Sequence, residues 1–486
     1  MRYPYDMWAH LIAIDNSFDL TSIPEARRVW HELWRAVFDM MSIQGSQIFL
    51  RAKIVHVTQT LISFFAIYLF SKVLIRNIYK KIDKLVVKYL SFWSTVIWFT
   101  IFATFSVYYH HTWIMWYSVS YQITLVLFWY ITALTLIIIL ENPLWKTKLF
   151  YTLQIVIVSF FILRVHSMEY IYYILYLLLL TLLFPEKIFS LVKKYFYIFI
   201  SVVVMVIYFA KNLQPEDSRL LAYLDFNQLG NLYTMIMKEG LRLIEGLNRA
   251  DAAINELMYI ILFTTLVMIF FLLYDRKRKR ESFLSLRLYI FVVISSLFLL
   301  IPLFTISAGF ASIVTKASVV NRFYYSSSLF ILLPLTIYYF FYRYRSKINL
   351  FLLNLSFVVL LSMTLLYSKY ISPTPNYYKN IASLKQSLLV DKVKFHLSSD
   401  DIDMIGKKLQ EYKSINSVDS ETLFYARADI AMVLKFIYNE NVFWRGRREK
   451  SSIEKFQNYC ETLNPQNVEC IVFDTPINFK EYKPYH

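Results

Sequence analysis

At 486 residues the chain could hold two or three soluble domains, yet 57% of it is apolar, 19% aromatic and only 17% charged, with mean hydropathy +0.45. Apolar runs of about 20 residues recur, the length that crosses a hydrocarbon core of roughly 30 Å, so the composition specifies an integral membrane protein. The formal charge of +17 lies mostly in short loops between those runs, where it is an orientation signal, and nucleic acid is excluded as the expected partner.

In chain order, the first 53 residues are polar and aromatic. "YDMWAHL" sets Asp6 and His10 four apart, on one face if helical. Asp6 reads as a general base or metal ligand at the outer mouth of the membrane domain, whereas spacing alone favours both as solvated residues of an unstructured start. "SIPE" (22–25) is a capping-box pattern, and Trp30, Trp34, Phe38 and Met41 then come at helical spacing. Arg27, Arg28, His31, Arg35 and Asp39 fall on other faces, so the sequence predicts an amphipathic helix suited to the headgroup layer.

Ten spans come next, at about 54–75, 89–109, 116–140, 149–163, 170–185, 195–210, 256–274, 285–308, 323–342 and 348–367. The two around 149–185 are short and would also suit a re-entrant pair. "RNIYKKIDKLVVK" (76–88), "DRKRKRE" (275–281) and "YRYRSK" (342–347) are basic. Lys146 with Lys148, and Lys187 with Lys193 and Lys194, mark two further loops. These five loops alternate correctly, which predicts that they are cytoplasmic. Residues 1–53, the turns near 110–115 and 164–169, the loop 211–255, the turn 309–322 and the tail 368–486 then face outward. An outward N-terminus with neither a preceding span nor a signal peptide predicts one more span before Met1.

Candidate chemistry accordingly collects on the outer face. "YYHHTW" (108–113) places His110 and His111 at a span end, as phosphate or metal contacts or as polar fillers of an aromatic belt. "RVHSMEY" (164–170) holds Arg164 and Glu169 in one turn, as a structural ion pair or as a phosphate-binding cation beside a catalytic carboxylate. Arg322, with Lys316 six residues earlier, opens the ninth span as a snorkelling anchor or a phosphate contact. The loop 211–255 carries the amphipathic "NLYTMIMKEGLRLIEGL". After the "SPTPN" linker (372–376), residues 400–412 and 451–463 read as helices and "TLFY" and "ECIVFDT" as strands. The tail is thus a small α/β domain, in which "FWRGRREK" (443–450) reads as a solvated basic face or a headgroup contact. Cys460 and Cys470, the only two cysteines, form either a disulfide or two buried thiols.

Only seven glycines occur, none within these apolar spans, so no phosphate loop, dinucleotide fingerprint or small-residue seam is expected. ATP-driven and nicotinamide chemistry are thereby disfavoured.

The order of an outer Asp-containing segment, an amphipathic helix, many spans, "NRFYYSSSLFILLPL" and an outer α/β tail resembles the GT-C superfamily of polyprenyl-phosphate-sugar glycosyltransferases. Within it, the protein-mannosyltransferase and aminoarabinose-transferase kinds are most similar. "YDMWAHL" resembles the Asp-x-x-x-His of that family's first outer loop, and Arg322–Phe323 its late Arg-Tyr-type pair. An Asp-Asp or Glu-Asp pair is not evident after Asp6. The resemblance implies sugar transfer from a polyprenyl-phosphate donor to a glycan or lipid acceptor, in the periplasm-facing half of a bacterial inner membrane. It implies Asp6 as base, Glu169 as a second carboxylate, and Arg322, Arg164, His10, His110, His111 and Lys316 around the lipid phosphate and sugar. No cofactor is specified; a divalent cation is compatible with the resemblance and not required by it. A polymerase or ligase of lipid-linked glycans is the nearest rival, and a transporter or flippase the next.

Overall fold

The computed structural model describes most residues within 25–99, 120–194, 285–314, 323–370 and 399–415 and part of 422–473. It adds single positions such as Ile14 and those around 234–241 and 263–270. The chain divides into two compact units. One comprises Met1–Thr58, Trp116–Ser120 and Ser383–His486, the other Gln59–Met115 and Tyr121–Ala382.

The first unit opens its described part with α1 (Glu25–Met40), whose Trp30, Trp34 and Phe38 form a buried stripe, Trp34 stacking on Phe38 at 5.5 Å. The stripe is covered by protein. His31, expected on a polar face, is buried as well, because it follows Trp30 on the inward side of the helix and meets its ring edge-on at 5.0 Å. Met41 is half exposed, because α1 stops before it. Ile43 N–H donates to Phe38 O (2.9 Å) and Ser42 N–H to Asp39 O (3.0 Å), with Ser42 left-handed at φ 54°. This is a Schellman ending, in which the residue after the helix usually is glycine.

The rest of this unit is the C-terminal α/β domain: α12 (Ser399–Ile415) and strands β1 (Leu423–Ala426), β2 (Asn441–Val442) and β3 (Cys470–Phe473). The strands are parallel in the order β2-β1-β3, with Phe424 opposite Val442 and Ile471. Gly406 of α12 leaves room for the Tyr438 phenol, where a Cβ would overlap it. Partial burial, with the Asp403 charge beside it, holds that phenol above its ordinary range. A disulfide joins Cys460 and Cys470, Cα to Cα 6.2 Å.

The second unit is helical. The first long helix, α2 (Ile48–Ile78), begins in the first unit and runs on into this one. After it come α3 (Lys84–Ile97), α4 (Ser120–Leu136, closing in a π-turn over Ile137–Glu141), α5 (Trp145–Val165) and α6 (Met168–Leu183). The remaining helices are α7 (Pro185–Lys194), α8 (Leu286–Ser296, continuing as a 3₁₀ turn over Leu297–Leu303), α9 (Thr305–Val314), α10 (Leu329–Tyr344) and α11 (Leu350–Tyr370). Lys53–Ile78, Ile123–Glu141 and Trp145–Val165 are long and apolar enough to cross a membrane. Two bent pairs bring the number among the described residues to five if each is one span.

Three spans differ from the sequence expectation. Of the pair at 149–185, only the second is short, at 16 residues. α5 is a full 21-residue helix, and the chain turns by 109° only later, between α6 and α7. Pro185 opens α7 there, where its missing N–H costs nothing. The span expected at 285–308 bends by 84° between α8 and α9, after a turn containing Pro302. The span expected at 89–109 is helical to Ile97 and then enters a π-turn at Trp98. Those expected at 195–210 and 256–274 lie largely outside the described residues.

Polar side chains within these helices bond to their own backbone. Ser91, Ser94, Thr95, Thr132, Ser295, Ser296 and Thr336 each donate to the carbonyl four residues earlier, at 2.6–2.8 Å. Polar contacts join several of the helix ends. Arg76 pairs with Glu141, which also accepts from Asn77 Nδ2 (3.3 Å). Arg287 pairs with Glu186, Ser285 N–H donates to Ile78 O (2.7 Å), and Tyr79 OH donates to Leu335 O (3.3 Å). These contacts bring the C-terminal ends of α2 and α4 and the N-terminal ends of α7 and α8 together.

The absence of a glycine seam is also corrected. A Cβ on Gly240 would overlap the Thr305 carbonyl, and one on Gly309 the Ile236 carbonyl. Each glycine sits four residues after the carbonyl that its partner glycine meets, so two backbones cross in direct contact. The two glycines stand 69 residues apart in sequence, which hides the seam from any local pattern. Gly240→Ala and Gly309→Ala should each destabilise the purified protein by about 1–3 kcal/mol. The double variant should cost clearly less than the sum, because one separation of the backbones relieves both overlaps. Thermal unfolding in detergent measures this, and additive losses would mean that the glycines do not share a crossing.

Candidate functional site

The best-described candidate site lies at the turn between α5 and α6. Arg164 is in the last turn of α5, where a cation complements the helix dipole, and Glu169 is in the first turn of α6, where an anion does. The Arg164 guanidinium lies 5.6 Å from the Phe160 ring centre. Glu169 is 1% exposed, so a carboxylate is held in the protein interior at the mouth of an apolar helix. A group with that desolvation is either partnered structurally or used.

Below Glu169, α6 presents a ladder of tyrosines. Tyr172, Tyr173 and Tyr176 are buried, and Tyr173 OH shares a 2.8 Å hydrogen bond with Thr135 Oγ1 of α4. Tyr176 OH donates to Ser326 O at 2.7 Å. Ser326, Ser327 and Ser328 are fully buried, and Ser328 Oγ lies 2.5 Å from Ser295 Oγ and 3.2 Å from Ser296 Oγ on α8. Ser327 Oγ donates to Ser296 O at 2.8 Å, which fastens the segment before α10 to α8. Phe323 packs edge-on against Tyr172 at 5.0 Å. The hydroxyl-rich entry to the ninth span is therefore docked on α6, one helical turn from Glu169.

Of the residues singled out in the sequence, Arg164 and Glu169 are thus brought to one hairpin. Asp6, His10, His110, His111, Lys316 and Arg322 lie outside the described residues. No protein-family model, curated protein or solved structure matches this chain. Among the described residues no group of three or more His, Cys, Asp or Glu side chains has the arrangement of a metal site.

Two features escaped sequence reasoning. The tyrosine ladder was visible only as an apolar run, "EYIYYILY", and the one usable signal was three tyrosines at positions i, i+1 and i+4. In the first unit, Arg51 in the first turn of α2 is 4% exposed. It donates to Ile43 O (2.5 Å) and Ile14 O (3.4 Å), with its guanidinium 5.1 Å from the Phe38 ring centre. One buried cation therefore ties the Schellman turn and a point of the N-terminal segment to the start of the first long helix.

Arg51→Ala should cost about 1–3 kcal/mol, because both carbonyls lose a charged donor. Arg51→Lys should recover only part of this, since an ammonium lacks the planar fork that reaches two acceptors. Thermal unfolding and limited proteolysis of residues 1–43 measure the effect; full stability of Arg51→Ala would refute the clamp. Ser42→Gly should raise stability by up to about 1 kcal/mol by relieving the left-handed serine.

Proposed function

We propose that the chain is a membrane glycosyltransferase that moves a sugar from a polyprenyl-phosphate donor to a glycan or lipid acceptor. The observation that carries this reading is the buried Glu169 at the α5–α6 turn, with Phe323 of the Arg322–Phe323 pair packed one turn below it. A carboxylate at a helix mouth, close to the segment that continues a phosphate-binding arginine, is the pairing that transfer from a lipid phosphate needs. The remainder of the architecture belongs to the same proposal: about ten spans of GT-C type, basic loops in the cytoplasm, and the active face with the α/β domain in the periplasm of a bacterial inner membrane.

In the proposed reaction the acceptor hydroxyl attacks the anomeric carbon while its proton passes to Asp6. The bond from that carbon to the phosphate oxygen breaks, and polyprenyl phosphate leaves. A base in hydrogen-bond reach contributes roughly 10²–10⁴-fold. Arg322 and Arg164, with His10, His110, His111 and Lys316 in support, stabilise the charge that develops on the leaving phosphate. Glu169 either orients the acceptor or shares the proton, and the apolar helix surfaces provide a groove for the isoprenoid chain.

A second reading has its own support. The bent pairs α6–α7 and α8–α9 resemble the discontinuous helices at transporter sites. Proteoliposomes separate the two. Transfer of labelled sugar from a polyprenyl-phosphate donor, without ATP or nucleotide sugar, is expected, and counterflow of free substrate is not.

Asp6→Asn should reduce transfer by about 10²-fold or more while leaving insertion and stability unchanged. Glu169→Gln, which keeps the shape and removes the charge, should also lose transfer. Arg322→Ala should chiefly impair use of the lipid-linked donor. Normal turnover in Asp6→Asn would remove the base assignment, and an unchanged donor response in Arg322→Ala would remove the phosphate contact.

A further inference from the structure

The far end of α6 from Glu169 carries a second inference, which does not rest on the glycosyltransferase reading. Three apolar helices end at this level. Lys53–Ile78 and Ile123–Glu141 finish there, and Trp145–Val165 begins four residues after Glu141. For helices that cross a bilayer, this level is its boundary. α7 starts at the same place. It packs against the π-turn over Ile137–Glu141, and its Glu186 pairs with Arg287. Two residues before Arg287, Ser285 N–H donates to Ile78 O at 2.7 Å. From there α7 does not prolong α6, because their axes differ by 109°. Its 10 residues run about 15 Å, and at that angle they travel only about 5 Å along the α6 axis. A helix so placed lies along the boundary and neither extends the span nor enters the apolar core.

The composition of α7 suits that position. Helical spacing sets Ile188, Phe189 and Leu191 on one side and Glu186, Lys187, Ser190 and Lys193 on the other. An apolar face with lysines opposite is the pattern of a helix that lies in the interface plane. Ile188 and Leu191 are half-buried, whereas Phe189, at the margin of the apolar face, is 68% exposed. Leu182 in the last turn of α6 and Trp145 at the start of α5 are exposed as well. Exposed aromatic rings at the ends of apolar helices are the signature of the headgroup layer. Charge adds a second element. The two carboxylates at this level are already taken, Glu186 by Arg287 and Glu141 by Arg76. Lys146, Lys187 and Lys193 are exposed, and neither Lys146 nor Lys193 enters an ion pair among the described residues. Cations are therefore in surplus beside the apolar face.

We propose that α7 is a membrane-surface helix and that Lys187 and Lys193, with Lys146, form a docking surface for the headgroups of anionic phospholipids. The lipid supplies both things that this surface lacks, acyl chain for Phe189 and negative charge for the lysines. A soluble acidic partner would meet the charge and leave Phe189, Leu182 and Trp145 uncovered. The position of α7 beside three helix ends, turned across α6, brings both parts of its surface to the same lipid layer.

The test uses the full chain in lipid vesicles. The only two cysteines are joined in a disulfide, so Phe189→Cys and Ser190→Cys each offer a single thiol for a nitroxide label. Relative to a water-soluble nickel chelate, oxygen dissolved in the acyl layer should reach the label at 189 at least about threefold better than the label at 190. Spin-labelled phosphatidylglycerol should be preferred over spin-labelled phosphatidylcholine at the protein boundary, and the preference should shrink with salt. Lys187→Ala/Lys193→Ala should lower that preference by about two- to fivefold and leave the depth of the label at 189 unchanged. Circular dichroism checks that the variants fold. An unchanged preference in the double variant overturns the headgroup site. Labels at 189 and 190 that are equally open to nickel place α7 in water, and labels equally open to oxygen place it in the core; either result overturns the surface helix. A label at 189 shielded from both reagents until the protein is diluted in lipid would assign the face to a second copy of the chain and overturn the proposal too. None of these measurements involves sugar transfer, so their outcome is separate from that of Asp6→Asn.

Discussion

Within an apolar bundle a hydroxyl has few places to direct its hydrogen bond, and most of this architecture stems from that constraint. Ser91, Ser94, Thr95, Thr132 and Thr336 satisfy themselves on the carbonyl one turn back, so these helices carry polar residues without opening to solvent. Where a hydroxyl reaches beyond its own helix, it fixes a neighbour. Tyr176 holds the Ser326 carbonyl, Tyr173 meets Thr135, and Ser328 closes on Ser295 and Ser296. These cross-links converge on α6 and on the segment before α10. In an apolar interior their geometry is specific, because an unmade bond there has no water to replace it. Aromatic packing then completes the same contact, with Tyr176 edge-on to Phe128, Phe291 and Phe298.

Charge organises the two ends of the bundle differently. At the basic end, Arg76, Glu141, Arg287 and Glu186 form exposed or half-exposed pairs that draw the helix termini together. Exposed pairs of this kind contribute little stability, so their value lies in register and orientation. At the other end, Glu169 is withdrawn from solvent at the start of α6. Burying a carboxylate is costly, whereas the basic end leaves its charges in water. That asymmetry is the physical ground for looking for chemistry at the Glu169 end.

The sequence read clearly wherever periodicity and length carry the signal. The runs that became α2, α4, α5, α10 and α11 were evident from apolar length, and the Trp30–Trp34–Phe38 stripe from its spacing. Long-range partners were not evident. The Gly240–Gly309 crossing joins residues 69 apart, and nothing local to "MKEG" or "SAGF" announces it. Bends were missed for a related reason: the break after Pro302 lies within a continuous apolar run, so hydropathy sees a single span over 285–308. His31 was misplaced because helical spacing gives the direction of a side chain but not the width of the surface that covers it. Arg51 looked like a flanking charge of the first span. Its burial depends on Ile43 and Ile14, whose carbonyls lie 8 and 37 residues away in sequence.

The C-terminal domain shows the opposite balance, with a clear topology that composition alone did not supply. "TLFY" and "ECIVFDT" were legible as strands, but nothing in them specified that they pair in parallel, and the two-residue β2 was too short to leave a pattern. On an antiparallel sheet the carboxyl ends of successive strands would alternate between opposite edges. Here every strand points the same way, so the carboxyl ends of all three lie along one edge of the sheet.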